Sequence, residues 1–360
     1  MTPRYSLYRI PYTFYLFTFT FFLVPLFFLF SCEQNKVPLH PLKDDTLKIT
    51  SHKFYWEIDT LYAADAMQIY LRDVWGTDEN NVWVVGHSDD FDYQIWHWDG
   101  NDWTNVNPFI IGDRPSYHEL FGFSENDIWI VGEGIYRKVN DPNLYAREYI
   151  LHYDGSQWHR LDEIKAPMCL SVWGASNSEL YFGCDSGVVL YYNGSTIQKQ
   201  QTGTDAQICS IWGFDSENVF ATGGSLNTQE FYLFKKVGNH WEPQDSGSFG
   251  VNGNFVWGLD PEHFYRVTGS GVRQYVNGSW EYILYSRLVR CMFGNAENNM
   301  FVAGYQNELF HYNGEDWHKY SDFVQPHREF FGIWCNDASV FLIMGSLDYT
   351  YMVRGYINPH

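Results

Sequence analysis

LRDVWGTDENNVWVVG, residues Leu71 to Gly86, is an apolar run ending in Trp75-Gly76, a short acidic turn, and a second apolar run that stops at Gly86. The plan returns six times: ELFGFSENDIWIVG from Glu119, LSVWGASNSELYFG from Leu170, CSIWGFDSENVFATGG from Cys209, NFVWGLDPEHFYRVTG from Asn254, RCMFGNAENNMFVAG from Arg290 and FGIWCNDASVFLIMG from Phe331. The leading aromatics are Trp75, Phe121, Trp173, Trp212, Trp257, Phe293 and Trp334; glycine follows the first six and Cys335 the last. They recur every 36 to 52 residues, the period of a repeat architecture.

Each unit continues past its second glycine with a short alternating segment such as IWHW, ILHYD, VLYYN or LFHYN, then a turn (DGNDW, DGSQW, NGS, GNHW, NGSW, NGEDW) and often a tryptophan. Asn-Gly and Asp-Gly are strong hairpin signals, because a type I′ turn needs positive φ at both central residues. Each unit therefore reads as four short antiparallel strands, and the expected fold is an all-β, seven-bladed β-propeller, with six and eight blades as the competing counts. The seventh unit runs out after three strands, near Arg354. Lys53 to Leu61, KFYWEIDTL, resembles a fourth strand, with Trp56 in the place of Trp103, Trp158 or Trp317, so the N-terminal segment is expected to complete the last blade. The periodic Trp and Phe are then wedges between blades rather than a carbohydrate platform.

The repeated aromatic-Gly, acidic turn, apolar run and Asp/Asn-Gly-x-x-Trp plan over residues 53 to 360 resembles the β-propeller lipoproteins of Bacteroidota, and more loosely the tectonin-type lectin propellers. The resemblance implies fold and secretion and transfers no active site. The plan departs from WD40 repeats, which pair Gly-His with Trp-Asp landmarks. It departs also from sialidase Asp-boxes, which place a residue between Asp and Gly.

The N-terminus carries an address. Arg4 and Arg9 precede an apolar run from Tyr12 to Phe30, followed by Ser31-Cys32 and the polar Glu33-Gln34-Asn35-Lys36. Leu29-Phe30-Ser31-Cys32 resembles a bacterial lipobox, which makes residues 1–31 a lipoprotein-type signal peptide, Cys32 the lipidated anchor, 32–52 a tether containing Pro38 and Pro41, and 53–360 the propeller. An uncleaved membrane helix is the competing reading. The implied location is the cell envelope, as an outer-membrane lipoprotein on its periplasmic or its outer side.

Composition excludes one class of partner. The chain of 360 residues carries 43 Asp plus Glu against 23 Lys plus Arg, a formal charge of −20, and no basic cluster, so nucleic acid is excluded. Removing residues 1–31 takes away two arginines and no acid.

The two sides of the ring differ. The turns between first and second strands (TDENN, FSEND, ASNSE, FDSEN, LDPEH, NAENN, NDAS) and the Asp/Asn-Gly hairpins are uniform and open on one side, where their acceptors are expected to cap turn backbone. The other side varies: HSDDFDYQ, GIYRKVNDPNLYARE and DSG join second to third strands, and NPFIIGDRPSYHE, KQQTGTDAQ, QDSGSFGVNGN and SDFVQPHRE join blades. Loops on a rigid scaffold carry function. The candidate ligand-binding residues are therefore Asp113 and Arg114 before an inner strand, Tyr117 and His118 beside it, and Tyr136, Arg137 and Arg147 in the long loop. Arg72, Arg290 and Arg328 join them near the start of three inner strands, where they can point to the axis.

No GxSxG, HExxH, P-loop or CxxC motif occurs. His97, His152 and His311 share one repeat position, but equivalent positions diverge around the ring and no shared metal follows. Asp73 and Glu119, each two residues before a leading aromatic, are the acids a propeller hydrolase would place at its axis; Ser171 and Ser210 in the same position favour a packing role. Beyond Cys32 lie five cysteines, an odd number, with a Cys169–Cys209 bridge between adjacent blades as one option. The expected function is a non-catalytic, cofactor-free and metal-free binding module, a monomeric domain held to the bilayer through Cys32, that takes a protein, peptide or glycan on the variable face. The alternative is a glycan-acting enzyme or lectin-like accessory with its site at the channel mouth.

Overall fold

The computed structural model describes residues 49–360 apart from 64–65, 91, 109–113, 138–142, 162–165, 249–254, 322, 324–327, 346–349 and 358–360. Seven four-stranded antiparallel sheets follow one another, and almost no helix is present among the described residues. Their innermost strands are Ile69–Asp78, Arg114–Ser124, Cys169–Ser176, Gln207–Gly213, Phe255–Asp260, Val289–Ala296 and Glu329–Cys335, in blades 1 to 7. Each touches the innermost strand of the blade before and after it, and the seventh touches the first, so the ring is closed.

Closure uses the N-terminal strand. Tyr55–Leu61 pairs antiparallel with Thr350–Tyr356, from Tyr55 opposite Tyr356 to Leu61 opposite Thr350, and is the outermost strand of blade 7. Trp56 anchors it edge-on against Tyr320 and Phe323 of the blade 6 side, at centroid distances of 5.1 and 5.0 Å.

Burial explains the sequence pattern. The second strand of a blade has neighbours on both faces and reads as a continuous apolar run: Ser339–Gly345 and Asn299–Gly304 are buried at every residue. The outer strands have one wet face and are polar, as in Ile197–Gln201, IQKQQ.

The aromatic-glycine pair is a lock between consecutive blades. A Cβ on Gly213 would lie 2.6 Å from the Trp173 ring of the preceding blade; on Gly294, 3.0 Å from Trp257; on Gly76, 3.3 Å from Trp334; and one on Gly122 would collide with Trp75. In two interfaces the ring two residues farther on takes the seat, Phe123 over Gly174 and Phe214 over Gly258. Trp212 there donates its Nε1–H to the Gly258 carbonyl at 2.9 Å. At the last interface the smaller Phe293 packs in the cluster that holds Cys335, the one seat that is not glycine.

The hairpins differ from the type I′ expectation. Of the Asp/Asn-Gly hairpins among the described residues, Asn277-Gly278 alone has positive φ at both residues, 49° and 85°. At Gly100, Gly155, Gly194 and Gly314 the glycine alone is left-handed, and the preceding Asp or Asn caps the turn. Asp99 Oδ1 accepts from the backbone N–H of Asn101 and Asp102, and Asp154, Asn193 and Asn313 do the same two and three residues on. An Asx turn offers its own acceptor, so the second left-handed residue of type I′ is not needed. The cysteines also differ from the option raised above: Cys169 bonds Cys184, its register partner within blade 3, leaving Cys209, Cys291 and Cys335 free.

Replacing Gly213 by Ala is expected to lower stability by about 1–3 kcal/mol through overpacking against Trp173. Gly247→Ala, where no atom lies within 4 Å of the new methyl, should leave the melting temperature unchanged or slightly raised. Equal effects in thermal melts would show that the glycine seats are not what locks the blades.

Candidate functional site

In six of the seven innermost strands the register slips by one residue at the same level, skipping Arg72, His118, Leu170, Cys209, Arg290 and Phe331. A β-bulge leaves its extra residue out of the alternation between sheet faces and re-aims it. Five of the six skipped residues keep some exposure there, Arg72, His118, Leu170 and Arg290 in part and Cys209 more fully, whereas Phe331 is buried. The glycine ending the second strand makes room for the bulge: a Cβ on Gly86, Gly132, Gly223 or Gly304 would collide with the inner strand's backbone. All six positions lie near the start of an inner strand, on the side where second strands end, which is the variable face.

Contacts string these residues together across blades 6, 7, 1 and 2. The Arg290 guanidinium lies 4.8 Å from the Phe331 ring centroid, and Phe331 meets Tyr70 edge-on at 4.7 Å. The Arg290 charge lies near enough to Tyr70 to counter part of the rise that burial gives its hydroxyl pKa, and Arg72 sits 5.8 Å from the Tyr70 ring. Arg72 Nη1 donates to His118 Nδ1 at 2.7 Å, to Ser116 Oγ at 3.2 Å and to the Tyr117 carbonyl at 3.3 Å. Arg328 stacks at 4.2 Å on Tyr351. Burial lowers the Arg72 pKa, and burial followed by the nearby Arg72 charge pushes His118 down to about 3. His118 is thus a neutral acceptor for Arg72. Across the mouth, Leu170 and Cys209 of blades 3 and 4 add no cation.

Several of the sequence candidates are placed elsewhere. Tyr117 is 1% exposed, packed against Tyr149, so its ring cannot touch a ligand and only its carbonyl serves the site. Tyr136, Arg137 and Arg147 are not loop residues: second and third strands of blade 2 stay paired as far as Arg137 opposite Leu144, with Tyr136 facing Tyr145 and Arg147 facing Gly134. Arg114 begins the inner strand of blade 2, opposite Ile135. Asp113 and Cys32 lie outside the described residues. The structure brings Arg72, His118 and Arg290 together, and it adds Tyr70 and Phe331, which the sequence reading missed. Its signal was a polar pair in an apolar run, Arg72-Asp73 and His118-Glu119, where two adjacent polar residues break strand alternation.

The second member of each pair is a staple. Asp73 Oδ2 accepts the Leu120 N–H of blade 2 at 2.9 Å, and Glu119 Oε2 accepts the Val172 N–H of blade 3 at 2.9 Å. Ser210 Oγ lies 3.4 Å from the Val256 nitrogen in the equivalent place. An innermost strand has no neighbour toward the axis, and these side chains satisfy N–H groups that would otherwise lack partners. Burial deep in the ring raises the Asp73 pKa to about 7 and that of Glu119 well above its ordinary value, the latter also through the neighbouring Asp73.

The three equivalent histidines are structural as well. His97 stacks on Trp83 and shares Asn81 Oδ1 with its indole N–H; His152 stacks on Trp129 and shares Asp127 in the same way; His311 stacks on Phe301 and binds Asn299. On the uniform-turn side, Asp260, His263 and Glu297 form a cluster that bridges blades 5 and 6. His263 spends Nδ1 on Asp260 at 2.8 Å and Nε2 on Glu297 at 2.7 Å. Two ring nitrogens that point apart do not converge with both carboxylates on one ion, and the arrangement is an inter-blade ion bridge. A cleft of about 280 Å³ at the outer seam of blades 7 and 1 holds Trp96, Trp98 and Trp103. Its charges are spent on one another, Arg354 on Asp59 at 2.6 Å and on Glu57 at 3.0 Å.

No protein-family profile matches the chain, and no curated protein sequence does. Solved structures of similar fold include YCF48 bound to a D1 peptide, with a TM-score of 0.62 and 16% identity, covering 88% of this chain and 100% of that one. YCF48 from Cyanidioschyzon merolae gives 0.57 and 13%, covering 82% and 98%. The WD40 propeller domain of Doa1 gives 0.53 and 16%, covering 83% and 96%. At these identities the likeness establishes the propeller fold.

Because the Asp73 pKa is raised from an unfolded value of about 4, its contribution to stability is present below pH 4 and lost as pH rises toward 7. Asp73→Asn keeps an acceptor for Leu120 and cannot ionise. It is expected to melt about 2–5 °C above the parent at pH 8 and no higher at pH 4. A gap that widens on acidification instead would reverse the assignment.

Proposed function

We propose that the chain is a non-catalytic binding module, tethered to the cell envelope through Cys32, that takes a polypeptide on the variable face of its ring. The observation that carries this reading is the contrast between the two faces. On the uniform face the turn acceptors are consumed by turn backbone, from Asp78 and Asp215 to Asp260 and Asn336. On the variable face, side chains of blades 6, 7, 1 and 2 touch in succession, and Arg72 and Arg290 have no ion-paired carboxylate among the described residues. That another propeller, YCF48, is held in a complex with a peptide supports a polypeptide as the ligand class.

The path of the N-terminus fits such a module. Thr50 donates its N–H to the Asn313 carbonyl, and His52 Nε2 meets Asp316 at 3.1 Å, both in the uniform-face hairpin of blade 6. The chain therefore enters the ring from the uniform face and rises through Tyr55–Leu61 toward the variable one. The alternative of a glycan-acting enzyme loses its proposed acids, since Asp73 and Glu119 are engaged with backbone of neighbouring blades.

A photo-crosslinking residue at Tyr305 or Tyr351 on the variable face is expected to capture a polypeptide in cells, and one at Asn101 or Ser195 on the uniform face is not. Capture from the uniform face alone would invert the reading, and a glycan array bound through the variable face would replace polypeptide by sugar. Cys32→Ala should release the protein from membranes; unchanged attachment would remove the anchor.

A further inference from the structure

We propose that Arg72 and Arg290 form a seat for a single carboxylate of the polypeptide ligand, with Tyr70 and Phe331 as its apolar floor. This inference rests on the polypeptide-binding reading and names the group that the same face recognises.

The first argument is one of pairing. In a chain with 43 acids and 23 bases, a half-buried arginine has ample opportunity to find a carboxylate, and Arg266 and Arg354 do so, on Asp245 at 2.8 Å and on Asp59 at 2.6 Å. Among the described residues, Arg72, Arg290 and Arg328 have no carboxylate within ion-pair distance. They are held by neutral acceptors and ring faces. Arg72 and Arg290 both lie near Tyr70, which sets two like charges near one another. Partial burial of two neighbouring cations without an ion-paired carboxylate is unfavourable, and an incoming anion relieves both the desolvation and the repulsion.

The second argument is one of shape. Every hydrogen bond that Arg72 makes among the described residues leaves from Nη1, so the Nε–Nη2 edge of its fork has hydrogen-bonding capacity to spare. That edge matches the two coplanar oxygens of a carboxylate. The third is one of charge. Glu133 stands 3.9 Å from His118, and Glu329 stands near Arg290, with its own pKa raised by burial. Neither acid forms an ion pair with an arginine, but both act on the arginines from a longer distance and flank the seat, which favours a singly charged group over a phosphate dianion. A carboxylate reaches such a mouth either as a chain terminus or as an Asp or Glu side chain.

The test uses the full chain in detergent and three pools of labelled random nonapeptides: free C-terminus with acids allowed, amidated C-terminus with acids allowed, and amidated C-terminus with Asp and Glu omitted. Retention of the third pool is expected to be at least tenfold weaker than that of the first. Arg72→Gln combined with Arg290→Gln should bring the first pool down to the level of the third, while Lys199→Gln on an exposed outer strand changes nothing. Equal retention of the first two pools assigns the carboxylate to side chains, and loss of the amidated pool assigns it to the terminus. The seat is overturned if the carboxylate-free pool binds as well as the others, if the arginine variants melt normally and bind unchanged, or if inorganic phosphate competes more strongly than acetate. In the first case, loss of binding on Tyr305→Ala or Tyr351→Ala would leave the polypeptide reading standing without the seat. Retention of no pool would remove both.

Discussion

The seating of an aromatic ring on the glycine of the next blade is the contact on which the rest depends. A four-stranded blade is apolar on both faces and cannot bury either alone, so every blade needs two neighbours and only a closed ring supplies them all. A seated tryptophan that removes about 200 Å² of apolar surface from water is worth roughly 5 kcal/mol as an upper bound. The interface closes to this distance because the seat lacks a Cβ; none of Gly76, Gly122 or Gly213 has positive φ, so space and not backbone freedom selects glycine there. One chain carries all seven interfaces, and Tyr55–Leu61 holds its two ends in a single sheet.

This dependence made the architecture legible. Ring and seat are adjacent in sequence, Trp75-Gly76 or Trp212-Gly213, although each ring serves the seat of the next unit. A spatial contact between repeats is thus written as a dipeptide within one repeat; six copies carry the aromatic-glycine pair, and at four interfaces the leading ring itself takes the seat. The borrowed fourth strand was legible for a related reason: Trp56 keeps the outer-strand signature outside its blade. The turns were misread in detail because Asp-Gly and Asn-Gly suit both type I′ and Asx-capped turns, and only the participation of the side chain separates them. The disulfide was missed because Cys184 faces Cys169 only through the register of two strands, which spacing to the leading aromatic does not reveal.

The candidate site was half legible. Arg72 and Arg290 stood out as charges at the head of apolar runs, but the bulge that takes them out of the alternation has no residue type of its own. Leucine, cysteine and phenylalanine occupy it in blades 3, 4 and 7 as readily as arginine and histidine do elsewhere. What marks the position is a break in alternation, with Leu71 and Val74 both buried on the blade 7 side and two polar residues between them. The blade 2 ribbon misled in the opposite sense: a long polar insertion looks like a loop whether or not its flanks continue the ladder, as they do to Arg137.

The bulge also separates two kinds of constraint. Residues that alternate between blade faces are committed to packing or, like Asp73 and Glu119, to satisfying a neighbour's backbone, and changing them threatens the ring. The skipped residue stands outside that alternation and, except for the buried Phe331, stays at least partly exposed, so its identity is freer to serve a ligand while the scaffold stays intact. Charge follows the same division. Asp78, Asp99, Asp154, Asp215 and Asp260 cap turns on the uniform face, whereas Arg72 and Arg290, without ion-paired carboxylates, lie at the opposite mouth. With a screening length of about 8 Å at physiological salt, the distant acids weigh little at the axis, and an anion that reaches the mouth meets the local field of Arg72 and Arg290. Net charge is therefore a poor guide to what this ring binds; the guide is which charges the fold leaves unpaired.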